Sequence, residues 1–199
     1  HNYFVENVLV SNCHKIKSLN VLTKIVNKIT TPHKFGFTGT LPKEEVDRWK
    51  VIGTFGPVIY EKPSKELRDE GFLTNVLVKM IRLDHKKKKM SYQNELKYIH
   101  NHDKRNGLIM EMADKLNKNV LILVNRLEHG ENLLAAYKNT GKKVKFISGE
   151  MPVDERIEII DSMEKTDDHI IIAMSAIFST GINIKNLPII FFVDGGKSF

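Results

Sequence analysis

The stretch HIIIAMSAIFSTGINIKN, residues 169–186, decides the fold that we predict for this chain. Its apolar run, Ile170 to Ala173, is too short for a helix and rich in β-branched side chains, which predicts a strand buried on both faces. The strand leads into Ser175, Thr180 and Gly181. Hydroxyls and a glycine at the carboxyl end of a buried parallel strand are typical of a phosphate-binding site. The alternative is a loop whose hydroxyls bond only to local backbone groups.

Strands that alternate with helices surround this stretch. Apolar runs at 120–124, 144–147 and 188–193 predict three more strands, and helical spacing of apolar residues follows the first two. Polar pairs stand at the carboxyl ends of those two strands, Asn125-Arg126 and Ser148-Gly149. Alternation with short loops predicts an α/β fold with a parallel, doubly wound sheet and right-handed crossovers.

The first third of the chain contains two more short strands with polar residues at their carboxyl ends. These polar residues are Ser11, Asn12, Cys13 and His14 after a strand at 8–10, and Thr38, Gly39 and Thr40 after a strand at 34–37. Apolar spacing predicts helices at 19–29 and 42–52, with Trp49 packed in a core or at a domain interface. Because Cys13 and His14 have no second ligand pair at suitable spacing, we predict no metal site.

The middle of the chain carries weaker signals. We predict strands at 58–60 and 76–83, and a short helix from Ser64 that Gly71 closes. The polar stretch 84–105 has four consecutive lysines and is typical of a solvated loop, although contact with a phosphate backbone is the alternative. We interpret its histidines as surface residues, namely His85, His100 and His102.

Composition narrows the class of protein. The 199 residues are 41% hydrophobic, and no long uncharged apolar run predicts a membrane span or a signal peptide. The single cysteine cannot form an internal disulfide, so we expect a reducing, cytoplasmic setting. A net charge of +7 suits a polyanionic partner such as nucleic acid. Because no initiator methionine is present and the chain stops just after a buried strand, we expect a fragment of a longer protein.

Several of these residues resemble the motifs of superfamily 2 helicases, the nucleic-acid-dependent ATPases built on two RecA-like domains. Ser175, Gly181 and Asn183 have the spacing of motif V, and FSTGINIKNL looks most like the phage UvsW-like branch of DNA helicases. Ser11 to His14 stand where motif II has Asp-Glu-Cys-His, and Thr38 to Thr40 resemble motif III. Asn125-Arg126 lies in a unit similar to motif IV.

The resemblance implies a role for each matching position. It implies nucleic-acid contacts at Asn125, Arg126, Ser148, Gly149, Ser175 and Thr180, a nucleotide site at Gly181 and Asn183, and coupling through Thr38 and Thr40. It places Ser11, Asn12 and His14 in a degenerate motif II, because neutral Ser11 and Asn12 replace the two carboxylates that serve Mg²⁺ and the attacking water. The implied cofactors of the parent protein are ATP and Mg²⁺, and the implied partner is DNA more than RNA.

The resemblance also implies a domain division, with the end of one RecA-like domain at 1–73 and most of a second at 74–199. The chain has no phosphate-binding loop of the form G-x-x-x-x-G-K-[ST] and stops before motif VI, so we expect the fragment alone to be inactive as an ATPase. Two alternatives stay open. One is a non-catalytic, helicase-like nucleic-acid-binding protein, and the other is a restriction-enzyme motor subunit.

Overall fold

The computed structural model describes residues 3–5, 8–12, 21–30, 33–83, 89–138, 141–178 and 184–194, with side chains described from residue 23 onward. The chain divides into two compact units, His1–Leu83 and Asp84–Phe199. Among the described residues, no helix is long and apolar enough to cross a membrane.

The first unit is a small sheet with three helices. In chain order its elements are β1 (Tyr3–Val5), β2 (Val8–Asn12), α1 (Val21–Lys28), β3 (Lys34–Phe37), α2 (Glu45–Phe55) and α3 (Ser64–Asp69). The strand order is β1-β2-β3, with β1 antiparallel and β3 parallel to β2. The parallel pair β2–β3 confirms the two predicted strands. Ser11 and Asn12 form the last two residues of β2, where they pair with Gly36 and Phe37 of β3.

The core of the first unit is small. Val26 of α1 and Val51 of α2 are buried, and Ile29, Leu41 and Phe55 pack around them. Trp49 lies on the same helix as Val51 but is 64% exposed, and its indole N–H donates to Glu45 at 3.4 Å. The prediction that Trp49 could belong to a core is therefore wrong.

Two predicted strands of the first unit are wrong. Residues 58–60 and 76–83 form neither strand nor helix, and their apolar side chains are exposed except for half-buried Leu83, with Met80 94% exposed. Alternating apolar residues favour a strand only where another strand pairs with their backbone groups. No strand within the described residues pairs with either segment. The helix predicted from Ser64 is confirmed as α3, and Gly71 follows it with a positive φ of 81°.

The second unit is a four-stranded parallel sheet with helices on both faces. Its elements are α4 (Tyr92–His100), α5 (Asp103–Asp114), β4 (Val120–Val124), α6 (Leu127–Ala135), β5 (Lys143–Ile147), α7 (Val153–Lys165), β6 (His169–Met174), α8 (Ser175–Phe178) and β7 (Ile189–Phe192). The strand order is β5-β6-β4-β7, and every neighbouring pair is parallel. The predicted parallel α/β fold is confirmed.

Strand β6 explains why the stretch at 169–186 decides the fold. Ile170 and Ile172 face one side of the sheet, where α5 and α6 supply Met110 and Leu133. Ile171 and Ala173 face the other side, where α7 supplies Ile159 and Met163. Each fully buried isoleucine contributes roughly 1.5–3 kcal/mol of hydrophobic stabilisation. A strand that lies between two cores must be apolar where both of its faces are buried, as it is from Ile170 to Ala173.

The polar stretch at 84–105 is not a solvated loop over its described part. Residues 92–100 form α4, which Ser91 caps by accepting from the Asn94 amide at 3.4 Å. His102 caps α5 by accepting from the Arg105 amide at 3.2 Å. His100 is only 5% exposed, so its interpretation as a surface histidine is wrong. His102 is half-buried, and His85 lies outside the described residues.

One buried asparagine, Asn119, lies at the amino-terminal ends of the strands of the second sheet, which we call the amino edge. The Asn119 side-chain amide donates to the carbonyls of Met163, Thr166 and Asn186 at 2.7–3.0 Å. Its carbonyl accepts from the His169 backbone amide at 3.0 Å. Asn119 therefore joins the end of α7 to the starts of β4 and β6, and it uses both its donor and its acceptor atoms.

Candidate nucleic-acid interface

The carboxyl edge of the second sheet brings together most of the residues predicted to contact nucleic acid. Strand β6 lies between β4 and β5, with Val124 opposite Met174 and Ile147 opposite Ala173. The three strands therefore end side by side. Asn125-Arg126 follows β4, Ser148-Gly149 follows β5 and Ser175 follows β6, so these five residues share one edge.

Ser175 has a structural contact at this edge. Its hydroxyl donates to the Val124 carbonyl at 3.1 Å, which ties the end of β6 to the end of β4. A phosphate oxygen needs a donor, and the one proton of this hydroxyl is already used. Contact between Ser175 and a phosphate therefore requires the hydroxyl to rotate away from Val124.

Arg156 of α7 holds the loop after β5, a role that no motif in the sequence indicates. Its guanidinium donates to the Gly149 carbonyl at 3.0 Å and to the Met151 carbonyl at 2.6 and 2.9 Å. The planar fork of an arginine suits two carbonyls of one turn. The contact fixes the Ser148-Gly149 loop and brings a positive charge to it.

Asn125 and Arg126 stand between β4 and α6, and both are exposed. The Asn125 backbone amide donates to Asp194 Oδ2 at 2.5 Å, so Asp194, two residues after β7, fixes the backbone after β4. Arg126 is the residue before α6 and has an extended backbone. Its side chain is an exposed cation just after β4.

Asp194 is the centre of a buried cluster beneath this edge. Its Oδ1 atom lies 2.6 Å from His129 Nδ1 and 3.3 Å from His100 Nε2. The two imidazole rings stack with centroids 4.7 Å apart. Arg105 Nη1 lies 3.2 Å from His129 Nε2, and the same guanidinium donates to the Val193 carbonyl.

Burial and charge act in opposite directions on this cluster. Burial lowers the pKa of His100, and nearby Asp194 only partly offsets it, so the imidazole favours its neutral form. Burial pushes the pKa of Asp194 upward, but the contact with His129 and the Asn125 amide outweigh it and hold the pKa below its usual value. Burial also lowers the pKa of Arg105, against the attraction of Asp194.

A cavity of about 260 Å³ opens beside the cluster. Its lining residues are Tyr92, Leu96, His100, Asn125, Arg126 and Asp194. The cavity thus joins the exposed carboxyl edge to the buried carboxylate. No pattern in the sequence indicates the cluster beside this cavity, because His100, His129 and Asp194 lie in α4, in α6 and after β7, far apart along the chain.

The remaining predicted site residues either lie outside the described residues or have few described contacts. His14, Thr180, Gly181 and Asn183 lie outside the described residues. Thr38 and Thr40 form a local turn, in which the Thr38 hydroxyl donates to the Thr40 carbonyl at 2.8 Å and accepts from the Thr40 amide at 3.4 Å. Both threonines therefore have contacts that a structural turn alone explains.

Comparison with known proteins agrees with this fold. Residues 103–198 match the helicase conserved C-terminal domain. The ATP-dependent DNA helicase uvsW of Enterobacteria phage T4 is 29% identical in an alignment of 195 residues that covers 94% of this chain and 39% of that protein. The crystal structure of T4 UvsW matches with a TM-score of 0.50 and 26% identity, over 82% of this chain and 33% of the solved chain.

The match to uvsW covers 94% of the chain, whereas the helicase C-terminal domain matches the part that contains the parallel sheet. The chain spans about two-fifths of the length of the curated relative. The fold agrees with these comparisons. The chain has a parallel sheet with helices on both faces, matches a helicase C-terminal domain and is similar to one helicase in sequence and in structure. The chain is therefore similar to the UvsW-like branch of the superfamily 2 helicases in sequence and in fold.

Proposed function

We propose that this chain is part of an ATP-dependent DNA helicase or translocase and that the carboxyl edge of its second sheet contacts the DNA backbone. The chain holds the end of one RecA-like domain at 1–73 and most of a second at 74–199. The whole protein couples ATP hydrolysis to movement along DNA inside the cell. Similarity to a DNA helicase over 94% of the chain supports DNA as the partner.

The observation that carries the proposal is the shared edge. Asn125, Arg126, Ser148, Gly149 and Ser175 stand at the ends of three adjacent parallel strands. Ligands of open α/β sheets bind in this position. Positive charge favours binding of an anionic DNA backbone here. It comes from the exposed guanidinium of Arg126, from Arg156 at the Gly149 loop and from the net charge of +7.

ATP and Mg²⁺ belong to the helicase family in general. In this chain the last two residues of β2 are Ser11 and Asn12, and neither offers the anionic oxygen that Mg²⁺ prefers. The residues present do not fit the metal, so we assign no hydrolytic step to them. We propose that this chain alone releases no phosphate from ATP. Turnover with DNA above that of a protein-free blank would contradict this.

Neutral Ser11 and Asn12 also support the second candidate, a non-catalytic relative that binds nucleic acid. The similarity to an ATP-dependent helicase favours the first candidate, as it does over a restriction-enzyme motor subunit. The two candidates predict different ATPase behaviour for the longer protein. There, the double change Ser11→Asp with Asn12→Glu should raise DNA-stimulated ATP hydrolysis only if the rest of the nucleotide site is intact.

DNA binding is tested by fluorescence anisotropy with labelled single-stranded DNA over a range of salt concentrations. The slope of log K against log salt is about 0.7 per neutralised phosphate for a single strand. Arg126→Ala should weaken binding and reduce the slope by roughly that amount. The matched control is Lys165→Ala, which removes an exposed cation from the end of α7 near the amino edge. Equal effects of the two changes would contradict the proposed interface, and a competing RNA strand tests the preference for DNA.

A further inference from the structure

Three potential metal ligands meet beneath the carboxyl edge. His100 ends α4, His129 lies in the first turn of α6 and Asp194 follows β7. One ligand atom from each lies within 4.8 Å of the others. All three side chains are nearly inaccessible, with exposed fractions of 6%, 0% and 3%. Such a group differs from an exposed acidic cluster, because water cannot easily solvate its polar atoms.

Two atoms of this group have unmet bonding capacity. Among the described side chains, His129 Nδ1 and Asp194 Oδ1 are the buried polar atoms without a hydrogen bond, although they lie 2.6 Å apart. Buried polar atoms in native proteins nearly always have a partner. An ion bound by both atoms would supply one.

Neighbouring groups orient the ligands. The Asn106 side-chain amide donates to the His100 carbonyl at 2.8 Å, which turns Asn106 Oδ1 toward His129 Nε2 at 3.3 Å. That oxygen can accept a proton carried on Nε2 and leave the Nδ1 lone pair free. The Asn125 amide binds Asp194 Oδ2, so Oδ1 faces the two imidazoles. Ligands that are held in this way by a second layer of hydrogen bonds are typical of metal sites.

Arg105 supports the competing, metal-free state. A guanidinium can only donate, so its contact with His129 Nε2 at 3.2 Å favours the tautomer whose proton sits on Nδ1 and faces Asp194. Asn106 and Arg105 thus favour opposite tautomers of one imidazole. Arg105 keeps its bond to the Val193 carbonyl in either state. The cluster can therefore change between a hydrogen-bonded form and a metal-bound form without losing its attachment to β7.

We propose that His100, His129 and Asp194 bind a divalent transition-metal ion of the zinc class. Two imidazole nitrogens and one carboxylate oxygen suit Zn²⁺, whereas Mg²⁺ and Ca²⁺ prefer oxygen ligands. The fourth position faces the cavity that His100 and Asp194 line. The ion joins α4 and α6 to Asp194 and adds positive charge beneath Asn125 and Arg126. It is separate from the Mg²⁺ of helicase catalysis.

The test uses the purified 199-residue chain after treatment with a chelator. Isothermal titration with Zn²⁺ should give one ion per chain, and Co²⁺ should give the visible absorption of a four-coordinate complex. At free Zn²⁺ of 100 times Kd, the unfolding equilibrium constant should fall about 100-fold. Mg²⁺ at the same concentration should change neither the absorption nor the unfolding.

Variants separate the proposed ligands from ordinary histidines. Asp194→Asn and His129→Gln should each weaken Zn²⁺ binding by more than the roughly 10–100-fold that is typical for loss of an outer-shell partner. His169→Gln is the matched control, because His169 is equally buried but both its ring nitrogens already contact hydroxyls, those of Ser162 and Thr166. The control should bind Zn²⁺ as the unaltered chain does, and exposed His33→Gln replaces it if the buried change prevents folding.

The proposal is overturned if the unaltered chain binds no stoichiometric Zn²⁺, or if Co²⁺ binds without the four-coordinate absorption. It is also overturned if binding survives both ligand changes. If both ligand variants fail to fold, the Co²⁺ spectrum of the unaltered chain still decides the matter. The DNA-binding experiment is done in the presence of chelator, so the failure of one proposal leaves the other intact.

Discussion

The two edges of the second sheet differ in how completely their buried polar groups are hydrogen-bonded. At the amino edge, Asn119 uses both its donor and its acceptor atoms to hold α7, β4 and β6 together. At the carboxyl edge, Asp194 and His129 keep two buried atoms without hydrogen bonds beside a cavity. A fully bonded network has no spare capacity for a ligand, whereas an incompletely bonded one does. We therefore assign stability to the amino edge and binding to the carboxyl edge.

The largest expected effect on stability comes from a substitution at the amino edge. Asn119→Ala should lower the free energy of unfolding by about 2–4 kcal/mol, because the buried His169 amide loses its partner and the Asn119 bonds to Met163 and Asn186 are lost with it. Urea denaturation followed by circular dichroism measures the change. Asn125→Ala is the matched control at the other end of β4, where the described contact is made by the backbone, and it should cost less than about 0.5 kcal/mol. Equal costs would remove the distinction between the edges.

The next effect concerns the helix that carries His129 to the carboxyl edge. A Cβ added to Gly130 of α6 would lie 2.4 Å from the Phe146 ring of β5. Gly130→Ala should therefore destabilise the fold by about 1–3 kcal/mol through overpacking. Gly107→Ala in α5 has open space and should stabilise the fold by up to about 1 kcal/mol. Thermal unfolding of the two variants should shift in opposite directions, and a shift in the same direction would show that the α6–β5 contact adapts to the methyl group.

The main features of the fold could be predicted because they depend on local patterns. The apolar runs of β4, β6 and β7 gave the parallel sheet, and the polar residues after β4, β5 and β6 gave its carboxyl edge. The runs at 58–60 and 76–83 have similar local patterns but lack a partner strand, and pairing is not a local property. For this reason the same reasoning succeeded in one unit and failed in part of the other.

The buried cluster could not be predicted for a related reason. His100, His129 and Asp194 have no regular spacing, and a polar neighbourhood made His100 resemble a surface residue. Only the parallel order of β4 and β7 brings Asp194 beneath Asn125. The role of Arg156 could not be predicted for the same reason, since its contacts with the Gly149 and Met151 carbonyls depend on the orientation of α7 relative to the preceding loop. Asn119 had a weak signal, as a polar residue placed directly before an apolar run.

A smaller effect tests how pH acts on the amino edge. Burial lowers the pKa of His169, while Asp168 raises it and Lys143 lowers it further, so the folded state favours the neutral ring. Because the unfolded histidine has a pKa near 6.5, the unfolded state binds more protons below that pH. This contribution to stability is present above about pH 6.5 and is lost as the pH falls, with a slope below about 1.4 kcal/mol per pH unit. His169→Gln should flatten the curve of unfolding free energy against pH between about 6.5 and 5, and an unchanged curve would contradict the assignment.

The smallest expected effect separates the structural and binding roles of Ser175. Loss of its hydrogen bond to Val124 in Ser175→Ala should cost about 0.5–1.5 kcal/mol of unfolding free energy. Because a phosphate contact must replace that bond, the net gain on binding is small, and the affinity for single-stranded DNA should fall by less than Arg126→Ala lowers it. Ser162→Ala is the control, since its hydroxyl donates to Ile159 at 2.7 Å in α7, away from the carboxyl edge, and it should leave DNA affinity unchanged. If Ser175→Ala weakened DNA binding as strongly as Arg126→Ala, the hydroxyl would have to face the nucleic acid before binding, and its bond to Val124 would not be the resting state.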